Sequence, residues 1–408
     1  MAIAERATER RRGRAAGLVR YLVAAALVRG ADSGASVGLV LLAVDPGTGL
    51  GDGAPAAGGV LAAALSAPHL LGPWTARRLE RARDARRLLA GAYLLYAAAL
   101  AAGAVALGRL PLAPAVGAVA VAGCCGPLLT GGLSSRLPAI VGGRADGRPQ
   151  GWDALTYSIG GTAGPAVVAG LAALSGPLSA VFGLAGAAAA GAVLTLTLPR
   201  GPASGRTRVP DGAYGMRAGL RVLTAHAGLR RVTIMTLLSA LALGALPVIA
   251  ALFGPHLSDR PGAGATLTVA LGLGNLAGAL LVTVFPLRAD PDALARRLFT
   301  LLAVATALCA AAPAYGFALA GFAFIGVGIA TSFTATLAAR TRYAPPSAHA
   351  QVFVTSAGLK IAVSSAGAAL TGIAAGLGGR VLLLLAAAVT ASAVLVALAD
   401  RVFTERAS

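Results

Sequence analysis

Twelve long apolar stretches fill this chain between Leu18 and Asp400, and its arginines gather in every second gap between them. A bilayer core about 30 Å thick takes roughly 20 helical residues to cross. Backbone polar groups find no water there, so such runs must be helices. The pattern predicts an all-α polytopic membrane protein. Its spans are expected over 18–43, 54–72, 88–108, 111–133, 153–174, 176–198, 230–254, 262–286, 298–312, 314–337, 351–375 and 380–400. Composition agrees. Of 408 residues 57% are hydrophobic and 12% charged, too apolar for a soluble enzyme.

A net charge of +19 would suggest nucleic acid in a soluble protein. Here the charge sits where topology needs it. The N-terminus carries Arg6, Arg10, Arg11, Arg12, Arg14 and Arg20, and the gap after the second stretch carries Arg77, Arg78, Arg81, Arg83, Arg86 and Arg87. The opposite gaps hold only Arg109, Arg260 and Arg380. This asymmetry places both termini in the cytoplasm, as an even number of spans requires. The expected partner is the lipid bilayer, not nucleic acid. Lys360 is the only lysine, and the bias to Arg, Ala and Gly points to a GC-rich bacterial genome, hence a bacterial cytoplasmic membrane.

The basic N-terminus followed by an apolar run is laid out like a signal peptide, but Arg29 and Asp32 interrupt the run and eleven more follow. It reads as an uncleaved first span. Cys124, Cys125 and Cys309 have no zinc-ligand spacing and read as small packing residues. No P-loop, paired carboxylates or Ser-His-Asp arrangement is present, so neither an enzyme nor a bound cofactor is expected.

The Gly-, Pro- and Arg-rich segment 199–229 divides the chain into an N-terminal half, 1–198, and a C-terminal half, 230–408, of six spans each. The halves echo one another. Thr130-x-x-Leu133-x-x-Arg136 ends the fourth span and Thr334-x-x-Leu337-x-x-Arg340 the tenth, while Gln150 and Gln351 precede the fifth and eleventh. Matches at equivalent positions favour a duplicated architecture.

The fifth span carries Gly151, then Gly160, then Gly164-Pro165. With six plus six spans and a basic central loop, this resembles the major facilitator superfamily, and within it the twelve-span drug–proton antiporters. Their pattern there is G, eight residues, G, three residues, G-P, two residues, G-G; here Val168-Ala169 replaces the last pair. The gap after the second span is similar to a second family pattern, with Glu80-Arg81 at the acid–Arg pair that latches the two halves in one conformation. Both glycines of that pattern are lost, and the fourth-span arginine of proton antiporters has no counterpart here. The resemblance implies a transporter working by alternating access, and the fifth-span pattern implies export.

Arg29 and Asp32 lie three residues apart near the middle of the first span, on one helical face where they can pair. A charge at that depth costs about 2.5–3.5 kcal/mol even on the lenient insertion scale, so such residues face a cavity or the bundle interior. Lys360 lies within the eleventh span and Asn275, the only asparagine, within the eighth. Arg29, Asp32, Lys360 and Asn275 are the candidates for substrate contact or proton coupling, against structural roles as an ion pair, a snorkelling lysine and a helix-packing amide. Tyr157, Ser158, Thr331, Ser332 and Thr334 are further candidates for a cavity lining. His69, His226, His256 and His349 have no metal partner in the sequence.

The expected function is secondary active export of a small, partly apolar molecule, with protons as the coupling ion through Asp32. Two alternatives stand beside it. One is an importer or facilitator of a small organic anion, because Arg29 and Lys360 outnumber Asp32. The other is a non-transporting sensor or partner subunit on a transporter scaffold.

Overall fold

The computed structural model describes residues 2–141, 148–199, 216–258, 263–287, 289–345 and 348–407. Among them regular structure is helical, apart from one isolated bridge between Leu107 and Leu110. Twelve stretches are long and apolar enough to span a membrane: Ala16–Ala43, Gly51–Arg81, Ala85–Ala106, Leu112–Gly132, Pro149–Ser175, Pro177–Leu196, Ala227–Leu257, Ala263–Val284, Pro291–Ala310, Tyr315–Tyr343, His349–Ile373 and Gly379–Thr404. The protein is a multi-pass membrane protein. Large apolar side chains such as Leu174, Ile373 and Phe403 stand exposed, which water would penalise and acyl chains would cover.

The helices outrun the apolar stretches in several places, among them the ninth span, which starts at Pro291 before the expected 298. The second span continues to Arg81 and the tenth to Tyr343, past the expected ends at 72 and 337. An apolar run marks the hydrocarbon, whereas a helix ends where its backbone bonds find other partners. The added turns are amphipathic: Ala76 and Leu79 are buried, while Trp74 is exposed with the Arg78 guanidinium 4.0 Å over its ring.

The chain forms two compact units. The first comprises Met1–Ala145, Ile159–Gly219 and Pro346–Gly358, and the second Asp146–Ser158, Leu220–Pro345 and Leu359–Ser408. The fifth and eleventh spans therefore each divide between units, at equivalent places in the two halves. Gly176 and Gly378, with φ of +87° and +78°, likewise turn the chain before the sixth and twelfth spans. Only glycine takes that conformation without strain. Matching breaks and matching turns are what a duplicated six-helix plan produces.

The first unit buries Tyr21, Leu39, Leu61, Tyr93, Tyr96, Leu100 and Leu133 in its core. The second buries Phe253, Phe299, Phe322, Ile325 and Leu383. Asp84 caps the third span: its carboxylate accepts from the Arg86 amide at 3.0 Å and meets the Arg86 guanidinium at 2.8 Å. That side-chain bond holds the carboxyl down at about 2. A carboxyl lowered on folding adds stability that is whole above its ordinary value of 3.8 and is lost as pH falls toward 2. Asp84→Asn should therefore lower the melting temperature slightly at pH 7, because the pair is solvent-screened, and the difference from wild type should shrink as pH approaches 3. In the second unit Asp290 caps the ninth span. Burial pushes its carboxyl up, but bonds from the Ala293 amide and the Tyr343 hydroxyl outweigh that and leave it below the ordinary range.

Candidate functional site

The first unit holds a partly buried acid, Asp32, facing a buried imidazole, His69. The helix of the second span breaks at Ala67–Leu71 into a tighter turn, where Pro68 removes a backbone donor. The break turns His69 inward, leaving it 3% exposed with Nε2 3.8 Å from Asp32 Oδ2. Among the described residues neither ring nitrogen of His69 nor Asp32 Oδ1 has a hydrogen-bond partner. Gly126 of the fourth span makes the room, since a Cβ there would overlap the imidazole. The Tyr96 hydroxyl from the third span donates to Ala31 O at 3.3 Å, next to Asp32 in the chain.

Arg29 faces elsewhere. Its guanidinium donates to Thr130 O at 3.1 Å and to Ser134 Oγ at 2.8 Å. After Pro127 the fourth span widens into a π-turn over Leu128–Gly132, and it is this stretch that presents the Thr130 carbonyl. Asp32 thus takes His69 as its ionic neighbour rather than Arg29, although the two share a helix face. His69 was missed in the sequence because it sits at the expected end of a span, and only the Pro68 break brings it inward.

Glu80 and Arg81 lie on the last turn of the helix Gly72–Arg81, not in a loop. Glu80 Oε1 accepts from the Gln351 amide at 2.8 Å, in the first turn of the eleventh span. A carboxylate there meets an unsatisfied amide and the positive end of the helix dipole. The backbone approaches closely beside it: a Cβ at Gly131 would lie 2.7 Å from Phe353 O, and one at Gly72 3.0 Å from Val354 O.

The fifth-span glycines serve helix crossings. A Cβ at Gly160 would lie 2.8 Å from the Arg29 Cβ, and one at Gly164 would overlap the Gly30 carbonyl oxygen, both against the first span. A Cβ at Gly151 would instead lie 3.1 Å from Thr283 Cα and from Val282 O of the eighth span, in the second unit. Pro165 follows Gly164 inside an unbroken helix.

The second unit contains a cavity of about 190 Å³ whose polar lining includes Lys360, Ser239, Ser332 and Ser364, with Leu243, Phe299, Leu302, Ile329 and Phe333 among its apolar walls. Lys360 Nζ lies 4.0 Å over the Phe333 ring, whose other neighbour is Tyr157, edge-on at 4.9 Å between centroids. Thr331 and Thr334 bond back to their own helix and are not part of the lining. Asn275 is half-buried and also outside it. Its neighbours Gly274 and Gly278 meet the Ala323 and Val327 carbonyls of the tenth span, so the run Gly272-x-Gly274 is a helix-packing seam and not a nucleotide turn.

Arg340 and Arg296, which fall outside the expected spans 314–337 and 298–312, are 2% and 9% exposed. Arg340 donates to Thr236 Oγ1 at 3.5 Å. No cluster of three or more metal-ligating side chains occurs among the described residues.

No protein-family model and no curated protein matches this sequence. Solved structures do match in fold. The chain is similar to the human organic anion transporter MFSD10 (TETRAN), at 16% identity over 93% of this chain and 99% of that one, with a TM-score of 0.72. It is similar to a bacterial homologue of the iron transporter ferroportin in an outward-facing state, at 14% identity over 95% and 98%, with a TM-score of 0.70. The MFS proton:xylose symporter XylE bound to 6-bromo-6-deoxy-D-glucose matches at 13% identity over 93% and 94%, with a TM-score of 0.67.

Proposed function

On the premise that this chain has the major facilitator fold, we propose that it is a secondary active transporter exporting a small, partly apolar molecule in exchange for protons. The halves 1–198 and 230–408, joined by 199–229, would alternate access to a central path. The membrane is a bacterial cytoplasmic membrane, with both termini inside. The fifth-span pattern supports export, and Glu80 on the Gln351 amide supports a latch that must open in each cycle.

The observation that carries the coupling is the Asp32–His69 pair. A buried carboxylate is costly to keep charged in a low-dielectric span. Here it has one oxygen without a donor and an imidazole one short movement away. Taking up a proton would neutralise the acid or let the imidazole bond it, and either event changes how firmly the first and second spans hold together. The groups nearest the pair do not already satisfy it: Tyr96 is spent on Ala31 O, and Arg29 donates to the fourth span. Arg29 also sets a guanidinium against that span, where antiporters of this type carry their own.

The test is resistance to a broad compound panel in an efflux-deficient bacterial host, comparing wild type with Asp32→Asn and His69→Gln at matched expression. Wild type should raise resistance to some compounds several-fold, and both variants should lose it. Full resistance in Asp32→Asn would sink the coupling role. Sensitisation in place of resistance would reverse the direction to uptake. No effect of any compound would favour the non-transporting reading.

A further inference from the structure

The cavity of the second unit has a chemical bias that the transporter reading does not require. Its charged lining group is Lys360, and no Asp or Glu lines it. Among the described residues no carboxylate comes within 4.0 Å of the ammonium; its neighbour is the Phe333 ring face. A cation–π contact recovers about 2 kcal/mol or more when desolvated. That is less than the several kcal/mol lost when an ion leaves water.

Two more donors share the shortage. Ser239 and Ser332 are each 1% exposed, and neither hydroxyl has a hydrogen-bond partner. A buried polar group left unpaired costs about 1–3 kcal/mol. Nearby, Arg340, itself 2% exposed, adds a second cation through Thr236. A site with an ammonium, two unpaired hydroxyls that can both donate and accept, and no acid among them lacks a negative partner. What completes it is a group rich in acceptors and negative in charge.

We infer that this cavity is the subsite for the carboxylate of a small aryl or short-chain monocarboxylic acid, held by Lys360, Ser239 and Ser332. The apolar walls fix the rest of the ligand: Leu243, Phe299, Leu302, Ile329 and Phe333 surround an apolar stem. The volume of about 190 Å³ is below the roughly 300–1,000 Å³ of drug-sized sites, so the cavity takes an acid head and a compact body. A cationic compound would meet Lys360 as a like charge. The inference rests on the transporter reading and names the class of its cargo.

The experiment uses the purified full-length protein in nanodiscs, titrated with benzoate, hexanoate, benzamide and benzylammonium, with heat stability and calorimetric binding as readouts. Benzoate or hexanoate should bind and raise the melting temperature, as a ligand of the folded state does, while benzamide and benzylammonium should not. Lys360→Met should weaken the acid at least about tenfold, or 1.4 kcal/mol. Ser239→Ala and Ser332→Ala should each weaken it by a smaller factor. Lys360→Met also removes a partly buried charge with no carboxylate partner, so its ligand-free melting temperature should equal or exceed wild type, which separates lost binding from lost folding.

The inference is overturned if neither acid binds wild type, if benzamide binds as well as benzoate, or if Lys360→Met binds benzoate like wild type. Proteoliposome flux keeps the two readings apart. Acid that binds through Lys360 but is never moved keeps the site and defeats the transporter. Compounds moved equally well by Lys360→Met keep the transporter and defeat the site.

Discussion

Gly164→Val is expected to yield no monodisperse protein. The first and fifth spans cross backbone to backbone, and each places a glycine pair four residues apart at the crossing: Gly30 and Gly34 on one, Gly160 and Gly164 on the other. A Cβ at Gly164 would overlap the Gly30 carbonyl oxygen and lie 3.1 Å from its carbon, and one at Gly34 would lie 2.9 Å from Gly164 O. Overpacking a core typically costs about 1–3 kcal/mol when side chains can give way. Here the obstacle is main chain on both sides, so the helices must part along their length. In a bilayer that separation loses the close van der Waals packing that holds helices together.

The same crossing fixes the first span and with it Asp32, two residues from Gly30. Gly164→Ala should give recoverable protein with a lowered melting temperature. Gly161→Val is the control, because nothing lies within 4 Å of a Cβ there. Gly164→Val protein that elutes and melts like wild type would show that the spans do not meet this closely. The result also bears on the antiporter-like pattern. Two of its glycines, Gly160 and Gly164, pack inside one compact unit and Gly151 packs in the second.

The spans were legible because lipid imposes the same demand on every one of them, a length of apolar helix. The isolated charges were legible for the complementary reason: Asp32, Arg29 and Lys360 stand out against a uniform background. Their partners were not. Ser332 is among the sequence candidates for a cavity lining, but Ser239 is an ordinary residue of the seventh span, and nothing local marks either as a donor around Lys360. Thr130 offers Arg29 a carbonyl that only the π-turn after Pro127 presents. The pairing of Asp32 with His69 depends on a helix break that an apolar run conceals. Arg296 and Arg340 fall outside the expected spans because a basic residue beyond an apolar run signals a loop, yet the helix continues and buries each. Helix-face spacing also overreached, since it allowed Arg29 and Asp32 to pair while tertiary neighbours took both.

Asp292→Ala is expected to destabilise the second unit by about 3–5 kcal/mol, the range for breaking a buried ion pair from one side. Asp292 is 4% exposed at the start of the ninth span, and one oxygen serves two arginines: Arg296 at 2.6 Å on its own helix and Arg231 at 2.9 Å from the seventh span. Arg231 also lies 3.7 Å from Asp400 of the twelfth span, which Arg230 meets at 2.7 Å. Removing Asp292 leaves two guanidinium groups facing each other with Asp400 as the remaining acid near Arg231. Asp292→Asn should lose less, since its amide oxygen can still accept from one arginine. Arg296→Met in the Asp292→Ala background should recover part of the loss by removing one unpaired charge, a coupling that a double-mutant cycle measures directly. Heat unfolding of the detergent-solubilised protein reads these three variants and the single Arg296→Met that the cycle requires. The effect should reach the cavity too, because Ser239 lies about two turns beyond Arg231 on the same span. If the cluster holds that span in register, benzoate affinity should fall in Asp292→Ala at temperatures where the protein remains folded. Equal melting temperatures for Asp292→Ala and wild type would mean that water already solvates these arginines and that the cluster contributes only topology.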